Sequence, residues 1–440
     1  MKGISTFSIG GIHPPGHKVA AVRPVMLGVP ATVYIPLAQH IGAPATPVVQ
    51  KGQSVTRGQL LARSASFVSA CIHSPVSGTV KSIEDVVMPN GVPAPAIILT
   101  STAEENAADN AARAAWWEAL HTAVLPDTEY TRDDLRRIIS QAGVVGLGGA
   151  TFPTDVKLTV KPDTVPEILI INGCECEPYL MCDDAIMQEF PRQIIDGALM
   201  MARAAGAGRI IIGVEDNKPD SLRALRGVLR PGDPVEVRTL RTKYPQGGEK
   251  QLVQALTGRR IPSGALPLSV GVVVNNVATA LAVFSAIVLG TPLTDRVITL
   301  TGDLPRDQRR NYVVAMGTPV SALPFTLPPG ARMILGGPMM GRAAVRPDAP
   351  VTKGVSGVLV LEDTDRCPVR PCVRCGVCVQ GCPMGLEPYL LAVYGQRHMW
   401  DEAREALVAD CLECGACSYS CPSDRPLLDY IRLAKTRSRK

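Results

Sequence analysis

The stretch that decides the architecture reads CVRCGVCVQGCP at 372–383 and CLECGACSYSCP at 411–422. Each half is C-x2-C-x2-C-x3-C-P, the run by which two-cluster bacterial ferredoxins hold iron and sulfide. Three thiolates at i, i+3 and i+6 of a turning backbone can grip three irons of one cubane, and the fourth ligand must arrive from elsewhere. In the paired arrangement it comes from the other run. The expected ligand sets are therefore Cys372, Cys375, Cys378 and Cys421 for one [4Fe–4S] centre, and Cys382, Cys411, Cys414 and Cys417 for the other. Gly376 and Gly415 sit between ligands, where a missing side chain lets backbone amides approach sulfur. A four-Cys zinc site does not call for two matched runs ending in Cys-Pro. A disulfide scaffold fits neither the chain length nor the start MKGISTFSIGGIHPPGHK, which lacks the apolar core of a secretion signal. A reducing compartment is expected.

Working outward, 440 residues with 46% hydrophobic content bound the chain to roughly two to four domains with ample core. A formal charge of +5 without a dense basic patch, and 4% aromatic residues, argue against nucleic acid as a partner. The longest apolar run, VGVVVNNVATALAVFSAIVLG at 270–290, is interrupted by Asn275 and Asn276 and reads as a buried strand followed by a buried helix rather than a membrane span.

The fold expected is multidomain α/β and α+β. Residues 1–35 form a Pro/Gly-rich arm in which His13, His17 and Lys18 are solvated or packing groups. Residues 36–100 read as short strands separated by Gly52, Gly58 and Gly78. Their phrases QSVTRGQLL and HSPVSGTV resemble the barrel-sandwich of biotinyl and lipoyl carriers, although the loop ARSASFVSA has no Lys to modify. Residues 101–129 are Ala-rich and read as a linker helix anchored by Trp116 and Trp117. Residues 130–240 alternate helix and strand, as a parallel Rossmann-like sheet would, with Thr131 as a helix N-cap. A β-rich unit follows at 241–345, then a linker and the Cys module at 346–440.

Two stretches in the α/β region carry chemistry. In GVVGLGGATFPTDVKL at 143–158, Gly146, Gly148 and Gly149 expose backbone N–H groups suited to phosphate, and Lys157 adds a positive charge. The alternative is a tight turn with a solvated lysine. In INGCECEPYLMCDD at 171–184, Glu175, Glu177, Asp183 and Asp184 follow a buried strand, where ligands of such sheets bind. Cys174, Cys176 and Cys182 lack a fourth Cys nearby and make a poor metal set.

GGIHPPGHK at 10–18, GGATFPTDVKL at 148–158, INGCECEPYL at 171–180, YPQGGEKQL at 244–252, VVVNNVAT at 272–279, GGPMMG at 336–341 and both Cys runs together resemble the RnfC/RsxC family, over nearly the whole chain. That family is the iron–sulfur subunit of the Rnf electron transport complex. The resemblance implies an FMN- and NADH-binding domain at 130–240, like that of the complex-I flavoprotein subunit, and a β-grasp ligand-binding domain at 241–345. It makes Gly146, Gly148, Gly149, Phe152, Thr154, Lys157, Asn172, Glu175 and Glu177 the FMN/NADH candidates, with Asn275 and Asn276 beside them. It implies a peripheral subunit on the cytoplasmic face of the inner membrane, with partner subunits of which several are integral membrane proteins. The implied reaction is electron exchange between NADH and ferredoxin coupled to ion movement. Long-tailed members continue past the Cys module with Ala/Lys-rich repeats, which this sequence does not show. Two other readings remain at this point: an iron–sulfur electron-transfer subunit without flavin or NADH chemistry of its own, and a scaffold with structural clusters.

Overall fold

The computed structural model describes residues 4–88, 91–161, 164–344, 346–362 and 368–438. Its centre is a four-stranded parallel sheet in the order Val235–Leu240, Arg209–Glu215, Ile168–Gly173, Val272–Asn276. The strands ILIING, RIIIGVE and VVVNN are buried almost throughout, as parallel strands covered on both faces must be. Leu169, Ile171, Ile210 and Ile212 pack under the helices Pro191–Ala205 and Val277–Val288, while Ile168, Ile170 and Ile211 meet Glu249–Thr257 on the other face. Alternation along each strand divides one run of branched residues between two cores.

This topology moves an expected boundary. The α/β unit does not end at residue 240, because Val272–Asn276 pairs directly with Ile168–Gly173 and Val277–Val288 packs on Pro191–Ala205. After Val235–Leu240 the chain returns to the far side of the first strand. The order reverses between Ile168–Gly173 and Val272–Asn276, and open α/β sheets bind ligands at the carboxyl end of such a reversal.

Two further boundaries shift for the same reason, sheet pairing. The expected arm contains Ala21–Met26, the edge strand of a six-stranded sheet, and Thr32–Pro36, which pairs with Pro93–Thr100. The six-stranded sheet runs Ala21–Met26, Arg310–Ala315, Asp295–Gly302, Gly357–Leu361, Arg332–Leu335, Arg342–Ala343. Gly357–Leu361, expected in a linker, is an interior strand of it. The barrel-sandwich is built from Thr32–Pro36, Pro93–Thr100, Gly78–Val87 and Ser54–Val55, faced by Thr46–Pro47, Leu60–Arg63 and Ile72–His73.

The helix Ala103–Thr122 starts at a Thr102/Glu105 capping box and is a strut more than a linker. Its buried Arg113 meets Asp295 at 2.7 Å, and Arg57 of the barrel-sandwich meets the same carboxylate at 2.5 Å. Trp116 donates to Ser285, and Trp117 stacks edge-on against Phe190. Three units are thus locked through one helix.

Lys353 is buried at a second junction, and among the described residues no carboxylate pairs with it. Its Nζ donates to the carbonyls of Cys71 (2.9 Å) and Gly143 (2.7 Å). Burial pushes its amine down to about 7. The unfolded chain keeps that proton up to about pH 10, so across pH 7–10 the unfolded state binds more protons. Stability from this group therefore rises with pH, by up to about 1.4 kcal/mol per unit. Urea unfolding of Lys353→Met at several pH values is expected to lack that slope.

Candidate functional site

A cleft of about 550 Å3 opens where the strand order reverses. Gly146, Gly148, Phe152, Lys157, Asn172, Asn275 and Asn276 line it, together with Gly247, Glu249 and Leu266–Leu268. Its size falls within the usual span for cofactor sites, roughly 300–1,000 Å3.

The glycine stretch is a tight hairpin: Gly146 N–H donates to Phe152 O at 2.9 Å and Thr151 N–H returns to Gly146 O at 3.1 Å. At its tip Gly149 has φ +104°, a conformation that only glycine takes cheaply. Among the described residues, the amides of Gly148, Gly149 and Ala150 have no internal acceptor. Three successive free N–H groups beside a lysine make an anion cradle. Lys157 Nζ meets Glu249 Oε1 at 2.8 Å, so its charge is held at the cleft by the first turn of Glu249–Thr257. Asn275 Nδ2 is buried beside the cleft without a partner, a donor that a bound polar ligand would satisfy. The residues present fit a phosphate-bearing heterocycle such as FMN.

Glu175 and Glu177 do not line the cleft, contrary to expectation. Glu175 accepts from the amides of Asp183 (2.7 Å) and Asp184 (3.2 Å), holding the start of Cys182–Glu189. Glu177 accepts from Met339 and Met340 N–H and fixes the GGPMMG loop. Burial pushes its carboxyl up to about 7 despite those bonds. Thr154 is fully buried and is not a cleft residue, and Gly149 stands at the hairpin tip with open space around its Cα. Lys18, one of the arm's polar groups, is half-buried, with its Nζ donating to the carbonyls of Glu175, Glu177 and Leu180. The acid-rich loop is thus a structural hub.

Behind the cleft, Asn276 donates to Asp183 at 2.6 Å while its Oδ1 caps Val277–Val288. Desolvation, then the Glu175 charge, pushes Asp183 up to about 7. Glu175, Cys182 and Asp183 present three ligand-type atoms within 4.8 Å of one another. Both Glu175 oxygens already accept backbone amides, which leaves this group a folded polar knot rather than a metal cage.

The two Cys runs fold alike. Arg374 and Glu413 take φ +56° and +57°, and Gly376 and Gly415 take +76° and +77°. Each run ends in a four-residue helix, Val377–Gln380 and Ala416–Tyr419. Burial, then neighbouring sulfurs, pushes Cys414 and Cys417 as thiols up to about 11 and about 12. Cys382 is close enough to act on Cys411, Cys414 and Cys417, and Cys421 on Cys378. Packed thiols of this kind ionise only when a cation shares them, which fits a cluster. Amides donate to sulfur from Leu386 (to Cys382, 3.4 Å) and Glu413 (to Cys411, 3.3 Å).

The segment 244–251 joins cleft to clusters, a link the sequence did not signal. Gly247 lines the cleft and accepts from Asn172, Tyr244 Oη donates to Cys414 O at 2.7 Å, and Gln251 donates to Pro383 O at 3.0 Å. Gly10 lies against Cys382, where a Cβ would come within 2.1 Å of the carbonyl oxygen.

Comparison with known proteins finds family matches in three regions. Residues 6–104 match the RnfC barrel sandwich hybrid domain, 139–285 the Nuo51 FMN-binding domain and 368–425 the 4Fe-4S dicluster domain. The chain is 40% identical over 439 residues to a subunit of the proton-translocating ferredoxin:NAD(+) oxidoreductase complex of Clostridium ljungdahlii, covering 98% of this chain and 93% of that one. The chain belongs to the RnfC family. A second relative, from the Na(+)-translocating ferredoxin:NAD(+) oxidoreductase complex of Acetobacterium woodii, is 40% identical over 97% of this chain and 96% of its own. An NAD+-reducing [NiFe]-hydrogenase, in its air-oxidized state, shares the fold at TM-score 0.52 and 18% identity, over 74% of this chain and 70% of that one. The FMN-binding match spans 139–285 and so includes Val272–Asn276 and most of Val277–Val288, in line with the sheet pairing.

Proposed function

We propose that this RnfC-family chain is the subunit of an ion-translocating ferredoxin:NAD(+) oxidoreductase complex that passes electrons between NAD(H), FMN and two [4Fe–4S] clusters. The observation that carries the reading is the shared segment 244–251, which touches the cleft on one side and Cys414 and Pro383 on the other.

FMN, when bound, converts the two-electron chemistry of NADH into one-electron steps. The chain's own work is orientation. The free amides of Gly148, Gly149 and Ala150 would hold a phosphate, Lys157 would add charge under the control of Glu249, and Asn275 would offer its unpartnered amide to the bound group. Asn276 lines the cleft with its amide already committed to Asp183 and to the cap of Val277–Val288, so it shapes the wall. Cys382, Cys411, Cys414 and Cys417 hold the inner cluster, against Tyr244. Cys372, Cys375, Cys378 and Cys421 hold the outer one. No helix among the described residues is long and apolar enough to cross a membrane. The reading places the chain peripherally on the cytoplasmic face of the inner membrane, held by integral membrane partner subunits, with a ferredoxin-type protein reached through the complex.

The test uses purified, cluster-reconstituted protein. Denaturation is expected to release fluorescent flavin, and NADH is expected to bleach the iron–sulfur absorption. Absence of both would leave the chain a cluster carrier without its own NADH site.

A further inference from the structure

The two Cys runs are one structure written twice, so each serves as a control for the other. Val369, Val373 and Val377 of the first run are 61%, 67% and 38% exposed. Two counterparts in the second run are covered from outside the module: Ala416 is fully buried with Tyr244, and Leu412 packs with Tyr244, Cys414 and Met339, while Val408 belongs to the module's own core. Charge differs in the same sense. Glu413 is neutralised by Arg432 at 3.2 Å and Lys435 at 3.1 Å. At the matching place Arg374, like Arg370 nearby, forms no ion pair among the described residues. Cys372 and Cys375 are themselves exposed. Neighbouring loops add Arg425, Asp424 and Glu387, the last accepting from Tyr389.

We infer that the first-run surface, Val369, Val373 and Val377 between Arg370 and Arg374, docks an electron-transfer protein domain whose apolar centre is ringed by carboxylates. The second run shows what such a row of side chains requires, a protein surface laid over it. For Leu412 and Ala416 the chain itself supplies that cover, with Tyr244 and Met339; for Val373 and Val377 it does not. Arginines placed within two residues of exposed ligands favour an acidic partner and speed its approach. A lipid surface offers nothing to oxidise or reduce at an exposed cluster, and two arginines fall short of the roughly 4–8 cations of a membrane-binding segment. The inference rests on the proposed electron path and adds its outlet.

The test is the double variant Arg370→Glu/Arg374→Glu in the assembled complex. Glu413 already occupies the same backbone conformation, so the substitution does not strain the loop. NADH-driven electron delivery to the rest of the complex is expected to fall at least tenfold and to lose its dependence on salt. Reduction of both clusters by NADH in the purified variant, followed by EPR, is expected to persist, and Arg370→Lys/Arg374→Lys is expected to keep the wild-type rate. A photo-crosslinker at Val373 is expected to join an acidic segment of another protein of the complex. An unchanged rate and salt profile would overturn the inference. So would crosslinking to lipid alone, or wild-type binding to protein-free phosphatidylserine vesicles that the Glu variant loses. Failure of NADH to reduce the wild-type clusters would strike the proposed path instead, and the crosslink would still report on the surface.

Discussion

Cys382→Ala is expected to remove the centre completed by Cys411, Cys414 and Cys417, taking about four of about eight irons per chain, and to spare its neighbour. Cys421→Ala is expected to do the reverse. The basis is proximity across the repeat: Cys382 acts electrostatically on all three cysteines of the second run, and Cys421 on Cys378 of the first. The two losses have different consequences. With the proposed ligand sets, the centre containing Cys382 would sit beside Tyr244, whose segment also lines the cleft, so Cys382→Ala should stop electrons leaving the flavin for either cluster. Cys421→Ala should leave NADH able to reduce the inner centre while onward transfer fails. Iron analysis and EPR of NADH-reduced samples check both halves. If each single variant instead deletes the centre of its own run, the crossed ligand sets are wrong.

Gly149→Val and Lys157→Ala are each expected to weaken flavin binding at least tenfold, about 1.4 kcal/mol, with iron content unchanged. Gly149 sits at φ +104°, where a β-branched residue is strained, so the hairpin tip would re-form and turn its neighbours' amides away. Lys157→Ala acts by charge. It leaves Glu249 at the cleft without its partner, a bare carboxylate that would repel a phosphate bound at the proposed amide cradle. Flavin released on denaturation, set against iron–sulfur absorbance in the same sample, separates a local loss from misfolding. Glu175→Gln should behave otherwise. Its carboxylate pins the start of Cys182–Glu189, so its loss is expected to lower thermal stability before it alters flavin affinity.

Much of the site was legible because spacing is chemistry where ligands are covalent or backbone-borne. The Cys runs name their own metal, and the rule of the borrowed fourth ligand gives the pairing that Cys382→Ala and Cys421→Ala test. The Gly146–Gly149 cluster announces free amides. Side-chain roles were less legible. Glu175 and Glu177 stand next to a strand end where acids meet ligands, yet both oxygens of each serve backbone amides. Lys18 looked like a polar group of an open arm and is half-buried, its Nζ held by carbonyls. A charged residue in sequence does not declare whether its partner is solvent, ligand or main chain.

The same division holds for the fold. Branched runs such as ILIING and RIIIGV told of parallel strands, since hydrophobic continuity is a local property. Which strands become neighbours is not local. Val272–Asn276 joins Ile168–Gly173 across about a hundred residues of chain, and Gly357–Leu361 enters a sheet that Ala21–Met26 begins. Those pairings put the cleft at the reversal of strand order and bring residues 244–251 between it and Cys414. By itself the sequence determined that this chain carries two cluster-binding Cys runs and a glycine loop with free amides, because both are written in contiguous residues. Only the tertiary structure decided which Cys run packs against Tyr244 and which is left open, because burial is set by what the rest of the chain lays over two nearly identical loops.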